Sequence, residues 1–406
     1  MTKSIFSKIR LYPLKLVFAL GFISSGLWSC ASYSTKYSKQ NRNWQAASPA
    51  PSLKVAHTMY LVGDAGYDSP NNRAHVLQYL DKKLDSADRN SSIIFLGDNI
   101  YQLGMPPKED SVMRETAEFR INSQLQTLEQ FKGRPIFLPG NHDWWGWGVD
   151  GVRRQELYVQ EKISGYRKIQ KSNPDRYFLP QAGCPGPEVV PVTDKIVVLV
   201  VDSQWWLANW VKNEQEKDTC AVRTREQFET YFKKVAQKYR DKQLVVALHH
   251  PLYTHGPHGG NFTLKEHIFP LTEFNPKLYI PLPGLGSLIA LYRGLIGTRQ
   301  DVNNARYRKL RKALLAGLSQ NPGTIFVSGH EHTLQLIQRN ASWFVVSGSA
   351  SKQSPVGMGK GSQFASSSMG YGTLTFYENG QIWVQFSDVG PDGDRATRIF
   401  QKKVKE

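Results

Sequence analysis

Seven residues of types that bind metal ions follow closely after five apolar segments of the sequence. Runs such as Ile93 to Leu96 suit strands that are buried on both faces, and each run stops on glycine or on a polar residue. A carboxylate directly after such a run is unfavourable unless charge or hydrogen bonds meet it, and a cation meets this need. The pattern therefore predicts a metal site. Its candidate ligands are Asp64, Asp98, Tyr101, Asn141, His249, His330 and His332.

These residues offer two carboxylates, one amide, one phenol and three imidazoles, which is more than one divalent ion needs. The number suits two ions that share a carboxylate, about 3.5 to 4 Å apart as in two-metal hydrolytic sites. Oxygen and nitrogen ligands without a thiolate favour iron, manganese or zinc. The sequence thus predicts a dinuclear centre with hydrolytic chemistry.

The apolar segments alternate with stretches of helical spacing, at about 71–88, 111–131, 223–239 and 304–319. Strands that are separated by helices predict an α/β fold, and three further strands are predicted near 343–346, 372–377 and 381–386. In open sheets of this kind, ligands bind beyond the carboxyl ends of the strands. We therefore expect the candidate ligands to lie together at one edge.

The motifs at these strand ends resemble those of the calcineurin-like metallophosphoesterases, in the order that this family shows. The resemblance implies that residues 56–390 form one α/β domain, a four-layer α/β/β/α sandwich with two mixed sheets. It also implies a dinuclear metal site at the C-terminal ends of the strands. The motifs are Gly63-Asp64, Gly97-Asp98-Asn99-Ile100-Tyr101, Gly140-Asn141-His142-Asp143, His249-His250-Pro251 and Gly329-His330-Glu331-His332.

Gly66 and Tyr101 bring the resemblance closer to purple acid phosphatases of the small, tartrate-resistant type. Many members of the superfamily carry histidine where this chain has Gly66, and Tyr101 offers a replacement ligand. The resemblance implies two metal ions, Fe(III) and a second ion that is Fe(II), Zn or Mn, with Asp98 as the bridge. The first ion would be held by Asp64, Asp98, Tyr101 and His332, and the second by Asp98, Asn141, His249 and His330.

The same resemblance implies roles for residues outside the ligand set. A metal-bound hydroxide would attack phosphorus in line. His142 is the candidate for holding the phosphate or protonating the leaving oxygen. His255 and His258 are both candidates for a second catalytic imidazole. Asp143 and Glu331 are expected to support their neighbours by hydrogen bonding.

The function implied is a metal-dependent phosphoric ester hydrolase, an acid-phosphatase-like phosphomonoesterase. A phosphodiesterase or pyrophosphatase acting on nucleotide or lipid-linked phosphates remains an alternative, as does a non-catalytic cell-envelope lipoprotein. The expected partners are phosphorylated small molecules or lipid-linked substrates. The formal net charge is +17, but the cations are dispersed and no recognition motif accompanies them, so we expect no binding of nucleic acid.

The N-terminus has the pattern of an export signal, because basic residues precede the apolar run from Leu16 to Leu27. Cys30 follows this run, as in the lipobox of bacterial lipoproteins, where the cysteine carries lipid. The sequence predicts a signal peptide over 1–29 and a lipid anchor on Cys30 that holds the exported protein at a membrane of the bacterial cell envelope. An ordinary signal peptide with an incidental cysteine is the alternative.

Four other segments carry weaker signals. Residues 30–55 predict a flexible tether, about 144–194 a long surface insertion, and 391–406 a basic tail. A second insertion, near 278–300, is apolar but is broken by proline and glycine and is too short to span a bilayer. We expect it to be a loop packed on the body; a membrane-facing patch or a substrate lid is the alternative. Cys184 and Cys220 are either a disulfide or two free thiols.

Overall fold

The computed structural model describes residues 31–69, 72–167, 176–208, 219–273, 275 and 277–406. The predicted signal peptide and Cys30 lie outside these residues. The strands are β1 Lys36–Tyr37, β2 Val55–Val62, β3 Ser91–Phe95, β4 Arg134–Phe137, β5 Glu188–Pro191, β6 Ile196–Val201, β7 Gln243–Leu248, β8 Ile325–Ser328, β9 Leu334–Arg339, β10 Ser342–Ser347, β11 Ser362–Ser366, β12 Gly370–Tyr377, β13 Ile382–Val389 and β14 Ala396–Lys405.

Helices lie between many of these strands. The α-helices are α1 His75–Asp85, α2 Ser111–Leu125, α3 Asn141–Trp145, α4 Gly148–Arg167, α5 Ser203–Leu207, α6 Arg225–Lys238, α7 Leu264–Ile268, α8 Pro283–Leu295 and α9 Ala305–Gly317. Short 3₁₀ turns lie at Lys39–Asn41, Trp44–Ala46, Gln126–Leu128, Gln181–Gly183, Pro257–Gly259 and Pro270–Glu273. None of the helices in the described ranges combines the length and the apolar character that crossing a bilayer requires.

The strands form two mixed sheets, which confirms the predicted α/β fold class. One sheet has the order β1-β11-β9-β10-β8-β7-β6-β5, and the other has the order β14-β13-β12-β2-β3-β4. Strands β6, β7, β8 and β10 run parallel in the first sheet, and β2, β3 and β4 run parallel in the second. The carboxyl ends of each parallel group therefore lie along one edge of its sheet.

Alternate residues of a central strand enter different apolar cores. In β2, Met59 and Leu61 lie in the core between the two sheets, whereas Tyr60 and Val62 lie in the core that includes the helices. Helix α1, for example, stacks Tyr79 on Tyr371 of β12 at 6.1 Å. Because both faces of β2 are covered at its carboxyl end, Met59 to Val62 read as an unbroken apolar run.

The flexible tether predicted over 30–55 is wrong for residues 36–46. Lys36 and Tyr37 pair antiparallel with β11, and the Tyr37 ring lies 5.8 Å from Phe364 and 6.2 Å from Phe400. Trp44 packs on the same aromatic group, 6.2 Å from Phe400. Two widely spaced aromatic residues hold this segment to the body, so it shows no apolar periodicity in the sequence.

The C-terminal tail predicted over 391–406 is also wrong, because most of it is strand β14. This strand pairs antiparallel with β13 along the edge of the second sheet, and Phe400 enters the core between the sheets. Lys402, Lys403 and Lys405 all lie within it. Charged side chains are common on edge strands, where they hinder pairing with other chains. Because of these charges, the sequence pattern did not indicate a strand here.

The two predicted insertions each contain a helix. Helix α4 occupies 20 residues of the first, which was predicted as a long surface insertion. Helix α8 occupies 13 residues of the second, so this part of the segment is not the loop that the sequence offered as one alternative. Pro283 is the first residue of α8, a position where proline is tolerated because its missing N–H would have no partner in the helix.

Cys184 and Cys220 form a disulfide, which decides between the two alternatives that the sequence left open. Their Cα atoms are 5.6 Å apart, and they are separated by 36 residues of sequence. In the chain-entropy description, a crosslink of this span stabilises a fold by about 4 kcal/mol. The bond ties the segment before β5 to the segment before α6.

His57 in β2 should make folding stability depend on pH. Its side chain is buried, with Nε2 at 2.9 Å from Ser92 Oγ, and burial lowers the pKa of His57 from 6.5 to about 4. The unfolded chain takes up a proton near pH 6.5 and the folded chain only near pH 4, so the contribution of His57 to stability is intact above pH 6.5 and lost as the pH falls to 4.

We expect the free energy of unfolding to fall by up to about 3 kcal/mol between these pH values because of His57. The variant His57→Gln, whose amide does not titrate, should lose much less over the same range. Urea unfolding of both proteins at several pH values measures the difference. An identical pH dependence in the two proteins would contradict this account.

Candidate metal centre

Three of the predicted ligands have a left-handed backbone conformation at a strand end. The φ angles of Asp64, Asp98 and His330 are 58°, 54° and 68°, and each residue follows a glycine. Residues with a Cβ atom rarely adopt this conformation, which is unfavourable by roughly 1 to 2 kcal/mol per residue. Strain of this kind persists where the surroundings fix the backbone, and it is concentrated at functional sites.

The first group of ligands brings a carboxylate, a phenol and an imidazole together. The Tyr101 hydroxyl donates to Asp64 Oδ1 at 3.0 Å and lies 3.1 Å from His332 Nε2. His332 Nε2 is 3.7 Å from the same carboxylate oxygen. Asp64 Oδ2 accepts the backbone N–H of His330 at 2.7 Å, which fixes the carboxylate. The side chains of Asp64, Tyr101 and His332 therefore converge on one point.

Gly66 explains why a tyrosine completes this group. A Cβ atom at position 66 would lie 2.2 Å from the backbone oxygen of Asn99, so no side chain fits there. The Gly66 N–H donates to Asp98 O at 3.1 Å, and Gly66 O accepts from the Tyr101 N–H at 3.1 Å. These bonds hold the two loops in direct contact, and the ligand is supplied by the second loop instead of by residue 66.

The second group joins an amide, two imidazoles and a carboxylate. Asn141 Oδ1 lies 3.0 Å from His249 Nε2 and 2.9 Å from His330 Nδ1. The two ring nitrogens are 3.3 Å apart, and Asp98 Oδ1 lies 3.4 Å from His249 Nε2. One oxygen from each of Asp64 and Asp98 and one His249 nitrogen lie within 4.8 Å of one another, so Asp98 stands between the two groups.

The hydrogen bonds of the imidazoles test whether this group fits a cation. His249 Nδ1 lies 2.7 Å from Leu96 O, and His330 Nε2 lies 3.0 Å from Gln300 O. Carbonyl oxygens only accept, so these nitrogens carry hydrogens, and when both rings are neutral the opposite nitrogens present lone pairs. The lone pairs face each other and the Asp98 carboxylate. This arrangement is unfavourable without a positive charge between the groups, and it fits a metal ion.

The pKa values describe the same excess of buried negative charge. Burial raises the pKa of Asp64 and of Tyr101, and the neighbouring carboxylates raise that of Tyr101 further. Burial also acts to raise the pKa of Asp98, but the imidazoles that face it outweigh burial and hold that pKa below its usual range. For His249, burial acts to lower the pKa, and the Asp98 carboxylate outweighs it, which raises the pKa to about 9. A proton on His249 thus balances part of the buried negative charge. A metal ion can balance the same charge in the same place.

His142 lies at the edge of the first group and not among the ligands. Its ring is partly exposed, stacks on Trp145 at 5.1 Å and lies tilted against the Tyr101 ring at 4.4 Å. Its Nδ1 lies 2.9 Å from Gln102 O, so Nδ1 carries a hydrogen, and Nε2 has no protein partner among the described residues. The backbone N–H of His142 donates to Asp98 Oδ1 at 2.8 Å. The ring is thus oriented beside the predicted centre with one nitrogen available.

The structure brings His258, and not His255, to the predicted ligands. The His258 ring lies 4.1 Å from the ring of His330, and its Nδ1 lies 2.8 Å from Asp301 Oδ1. The His255 ring instead packs against the turn at Gly359, where an added Cβ atom would lie 2.2 Å from His255 Cε1. The two histidines face different parts of the fold although only two residues separate them.

Several neighbouring residues support the ligands by hydrogen bonding. Asp143 accepts the backbone N–H groups of Asn99, Ile100 and Gly140, at 3.2, 3.0 and 2.7 Å. Glu331 Oε1 accepts the His258 N–H at 2.8 Å. These contacts agree with the supporting roles predicted for Asp143 and Glu331.

His250 is buried beside the second group, but its position differs from that of a ligand. Its Nδ1 lies 2.8 Å from Ser203 Oγ, and its Nε2 lies 2.5 Å from Gln300 Oε1. Both ring nitrogens therefore have protein partners, although the ring lies only 4.4 Å from that of His330. His250 packs behind the ligands and connects them to Ser203 and Gln300.

Lys352 is a candidate functional residue that sequence reasoning missed. Its Nζ lies 4.6 Å from the centre of the Tyr101 ring. Burial lowers the pKa of Lys352, while the carboxylates of Asp64 and Asp98 act in the opposite direction. An ammonium group here can bind an anionic substrate next to the first group. The signal was present in the sequence, since Lys352 follows β10 and Gly348 in the way that the ligands follow their strands.

Arg293 and Asp301 were missed as well, and they form a buried ion pair beside His258. Arg293 Nη2 donates to Asp301 Oδ1 at 2.8 Å and lies 3.1 Å from His258 Nδ1. Burial acts to raise the pKa of Asp301, but the two partners outweigh it and lower the pKa below its usual range. Arg293 belongs to α8 and Asp301 to the loop that follows, so the second predicted insertion contributes directly to the edge of the site.

A family model of the calcineurin-like phosphoesterases (Metallophos) matches residues 57–280, more than half of the 406-residue chain. The matched range includes the loops after β2, β3, β4 and β7, and it ends before β8. No significant match was found among curated protein sequences.

Solved structures share the fold at low sequence identity. GAP50, described as the anchor in the inner membrane complex of Plasmodium, has a TM-score of 0.52 at 15% identity, over 87% of this chain and 89% of that chain. PhoD has a TM-score of 0.51 at 12% identity, over 88% and 72%. Purple acid phosphatase PPD1 from yellow lupin (Lupinus luteus) seeds has a TM-score of 0.48 at 13% identity, over 88% and 55%. At such identities the similarity concerns the fold alone.

Proposed function

Because the chain belongs to the calcineurin-like phosphoesterase family, we propose that it is a metal-dependent phosphomonoesterase of the acid phosphatase type. Family membership implies a phosphoesterase, and the buried cluster of Asp64, Asp98 and His249 is able to hold metal. The finer proposal is a dinuclear centre with Fe(III) beside Tyr101 and Fe(II), Zn or Mn beside Asn141.

The position of the Tyr101 phenol is the observation that carries this proposal. The phenol lies between Asp64 and His332, and Gly66 leaves no room for a histidine there. A phenolate is a hard anionic ligand that suits a trivalent ion better than a divalent one. Burial and the nearby carboxylates raise the pKa of Tyr101, so the phenolate needs a strongly positive partner.

Different residues of the chain have different roles in the proposed hydrolysis. When bound, the metal ions supply Lewis acidity that neutralises charge on the phosphoryl oxygens. Lys352 lies beside Tyr101 of the first group and His258 beside His330 of the second, and both are suited to bind the anionic phosphoryl group. His142, held through Nδ1 by Gln102 O, presents Nε2 for donating a proton to the leaving oxygen.

The variant Tyr101→Phe tests the ferric assignment. We expect the purified wild-type protein to show a visible absorption band from a ferric phenolate, and we expect the variant to lose it. Phosphate ester hydrolysis should fall by about 10 to 100-fold, because one ligand is removed while the others remain. A visible spectrum, metal analysis and turnover of an aryl phosphate monoester measure the three effects.

Tyr67→Phe is the matched control, since its ring lies 5.7 Å from Tyr101 but belongs to no ligand group. This variant should keep the band. A colourless, iron-free wild-type protein that hydrolyses phosphate esters would remove the ferric assignment and leave the phosphoesterase proposal intact.

Hydrolysis of diesters or pyrophosphates is a second candidate activity. The observation that favours it is the exposed apolar helix α8, whose Arg293 contacts His258 beside the ligands and could serve nucleotide or lipid-linked substrates. Comparing turnover of an aryl monoester with that of the matching diester separates the two activities, and a preference for the diester would contradict the monoesterase proposal.

We also propose that the protein is exported and held at a bacterial envelope membrane through lipid on Cys30. The Cys184–Cys220 disulfide supports an oxidising compartment, because disulfides seldom persist in the cytosol. Mass spectrometry of the mature N-terminus tests the lipid. A lipoprotein without catalysis is the remaining alternative, and a purified protein that binds no metal would favour it.

A further inference from the structure

The surface around helix α8 concentrates exposed apolar side chains. Ten of the twenty large apolar residues that are exposed in the described ranges lie between residues 264 and 296. Six of them, which we call the α8 surface, are on the helix or directly after it: Leu285, Leu288, Leu291, Tyr292, Leu295 and Ile296. Their exposed fractions range from 43% to 62%. Patches of this density on a soluble protein mark interaction sites.

Helix α8 turns its small residues, and not its large ones, toward the protein. Gly286, Ala290 and Gly294 recur every four residues and lie against the body. A Cβ atom at Gly286 would lie 2.2 Å from His267 O, and one at Gly260 would lie 2.4 Å from Gly294 Cα. The close backbone contact leaves the leucines outside. This is the reverse of a surface helix in water, whose large apolar side chains face the core.

The exposed charges around the α8 surface are all positive among the described side chains between 264 and 299. They belong to Lys265, Lys277 and Arg299. Glu266 in this range is hydrogen-bonded to Thr263 at the start of α7. Tyr279 lies under the Lys265 ammonium at 4.9 Å, and Tyr292 lies on the helix itself. Leucine flanked by tyrosine and lysine is the composition of elements that lie in the interface of an anionic membrane.

The N-terminal end of the described chain lies beside this surface. Ser32 pairs with Val356, and the next residue, Gly357, donates to His255 O at 2.8 Å. A Cβ atom at Gly357 would lie 3.3 Å from Asn261 Oδ1, and the adjacent Gly260 packs against Gly294 of α8. Thirty residues precede Ala31, among them the apolar run from Leu16 to Leu27. The segment predicted to reach a membrane is thus joined to the domain next to the α8 surface.

We propose that the α8 surface is a docking site for an anionic lipid bilayer. The leucines of α8 would enter the region between headgroups and acyl chains, while Lys265, Lys277 and Arg299 would contact the lipid phosphates. Because Arg293 of α8 contacts His258, this orientation also holds the candidate metal centre near the membrane surface. The proposal concerns binding and does not depend on the proposed hydrolytic activity.

Site-directed fluorescence on the full-length chain tests the proposal. Leu288→Cys and Leu295→Cys are each labelled with a polarity-sensitive dye and mixed with vesicles of phosphatidylcholine and phosphatidylglycerol. Leu157→Cys is the matched control, because Leu157 is 70% exposed on α4. The wild-type chain, labelled in the same way, corrects for dye on Cys30. We expect quenchers carried on the lipid tails to reduce the signal at 288 and 295 at least about threefold more than at 157.

Three results would overturn the proposal. If the dye at positions 288 and 295 is quenched no more than the dye at position 157, the α8 surface stays in water. A nonpolar signal that lipid-borne quenchers do not reduce, with a dimer in sedimentation, would assign the surface to a second copy of the chain. Equal quenching in vesicles without phosphatidylglycerol would remove the requirement for anionic lipid. The two label positions guard against local disruption by either substitution.

Discussion

Asp98→Asn is expected to reduce hydrolysis of a phosphate monoester on the order of 1,000-fold and to release bound metal. Asp98 lies between the two ligand groups, 3.4 Å from His249 Nε2 and within 4.8 Å of the nearest Asp64 oxygen. An amide in its place keeps the size of the side chain but removes the negative charge that two cations would share. Turnover of an aryl phosphate and metal content per chain, measured on the same preparations, check both expectations.

The matched control is Asp241→Asn, a carboxylate whose side chain is 88% exposed. It should retain wild-type turnover and metal content, since its charge is in water and belongs to neither ligand group. Circular dichroism establishes that Asp98→Asn remains folded. A folded Asp98→Asn protein with full metal content and near wild-type turnover would remove Asp98 from the centre of the proposed site.

The strand ends were predictable because their chemistry is local. An apolar run such as Ile93 to Leu96 must be a buried strand, and a carboxylate directly after it must meet positive charge or hydrogen bonds. Five such runs in an α/β pattern are enough to predict that Asp64, Asp98 and His249 come together. The structure does bring them together, and the family model matches the part of the chain that contains them.

Features that depend on distant partners were not predictable in this way. The sequence alone does not separate His255 from His258; contacts with distant residues do, such as the one between His258 and Asp301, 43 residues later in the chain. Strands β1 and β14 are held by aromatic residues at the ends of the chain and have no periodicity that marks them. Helix α8 has the opposite problem: its small residues face inward, so the ordinary pattern of an amphipathic helix is inverted.

Asp143 shows how a residue that binds no metal can determine the geometry of the site. Its carboxylate accepts four hydrogen bonds, from the N–H groups of Asn99, Ile100 and Gly140 and from the Asn99 side-chain amide. These donors belong to the loops that follow β3 and β4, which carry Asp98 and Asn141. The carboxylate therefore links the loop of Asp98, the proposed bridging ligand, to the loop of Asn141, a proposed ligand of the second ion.

Asp143→Ala is accordingly expected to lower the free energy of unfolding by about 4 kcal/mol, because it leaves several buried donors without a partner. Urea unfolding of the chelator-treated protein measures this loss apart from any effect of metal. Glu115→Ala, an exposed carboxylate on α2, is the control and should change stability by less than about 0.5 kcal/mol. In the metal-loaded protein, Asp143→Ala should also weaken metal binding by about 10 to 100-fold. If the variant unfolds like the wild type and keeps its affinity for metal, the two loops are held in place by other contacts, and the supporting role of Asp143 is wrong.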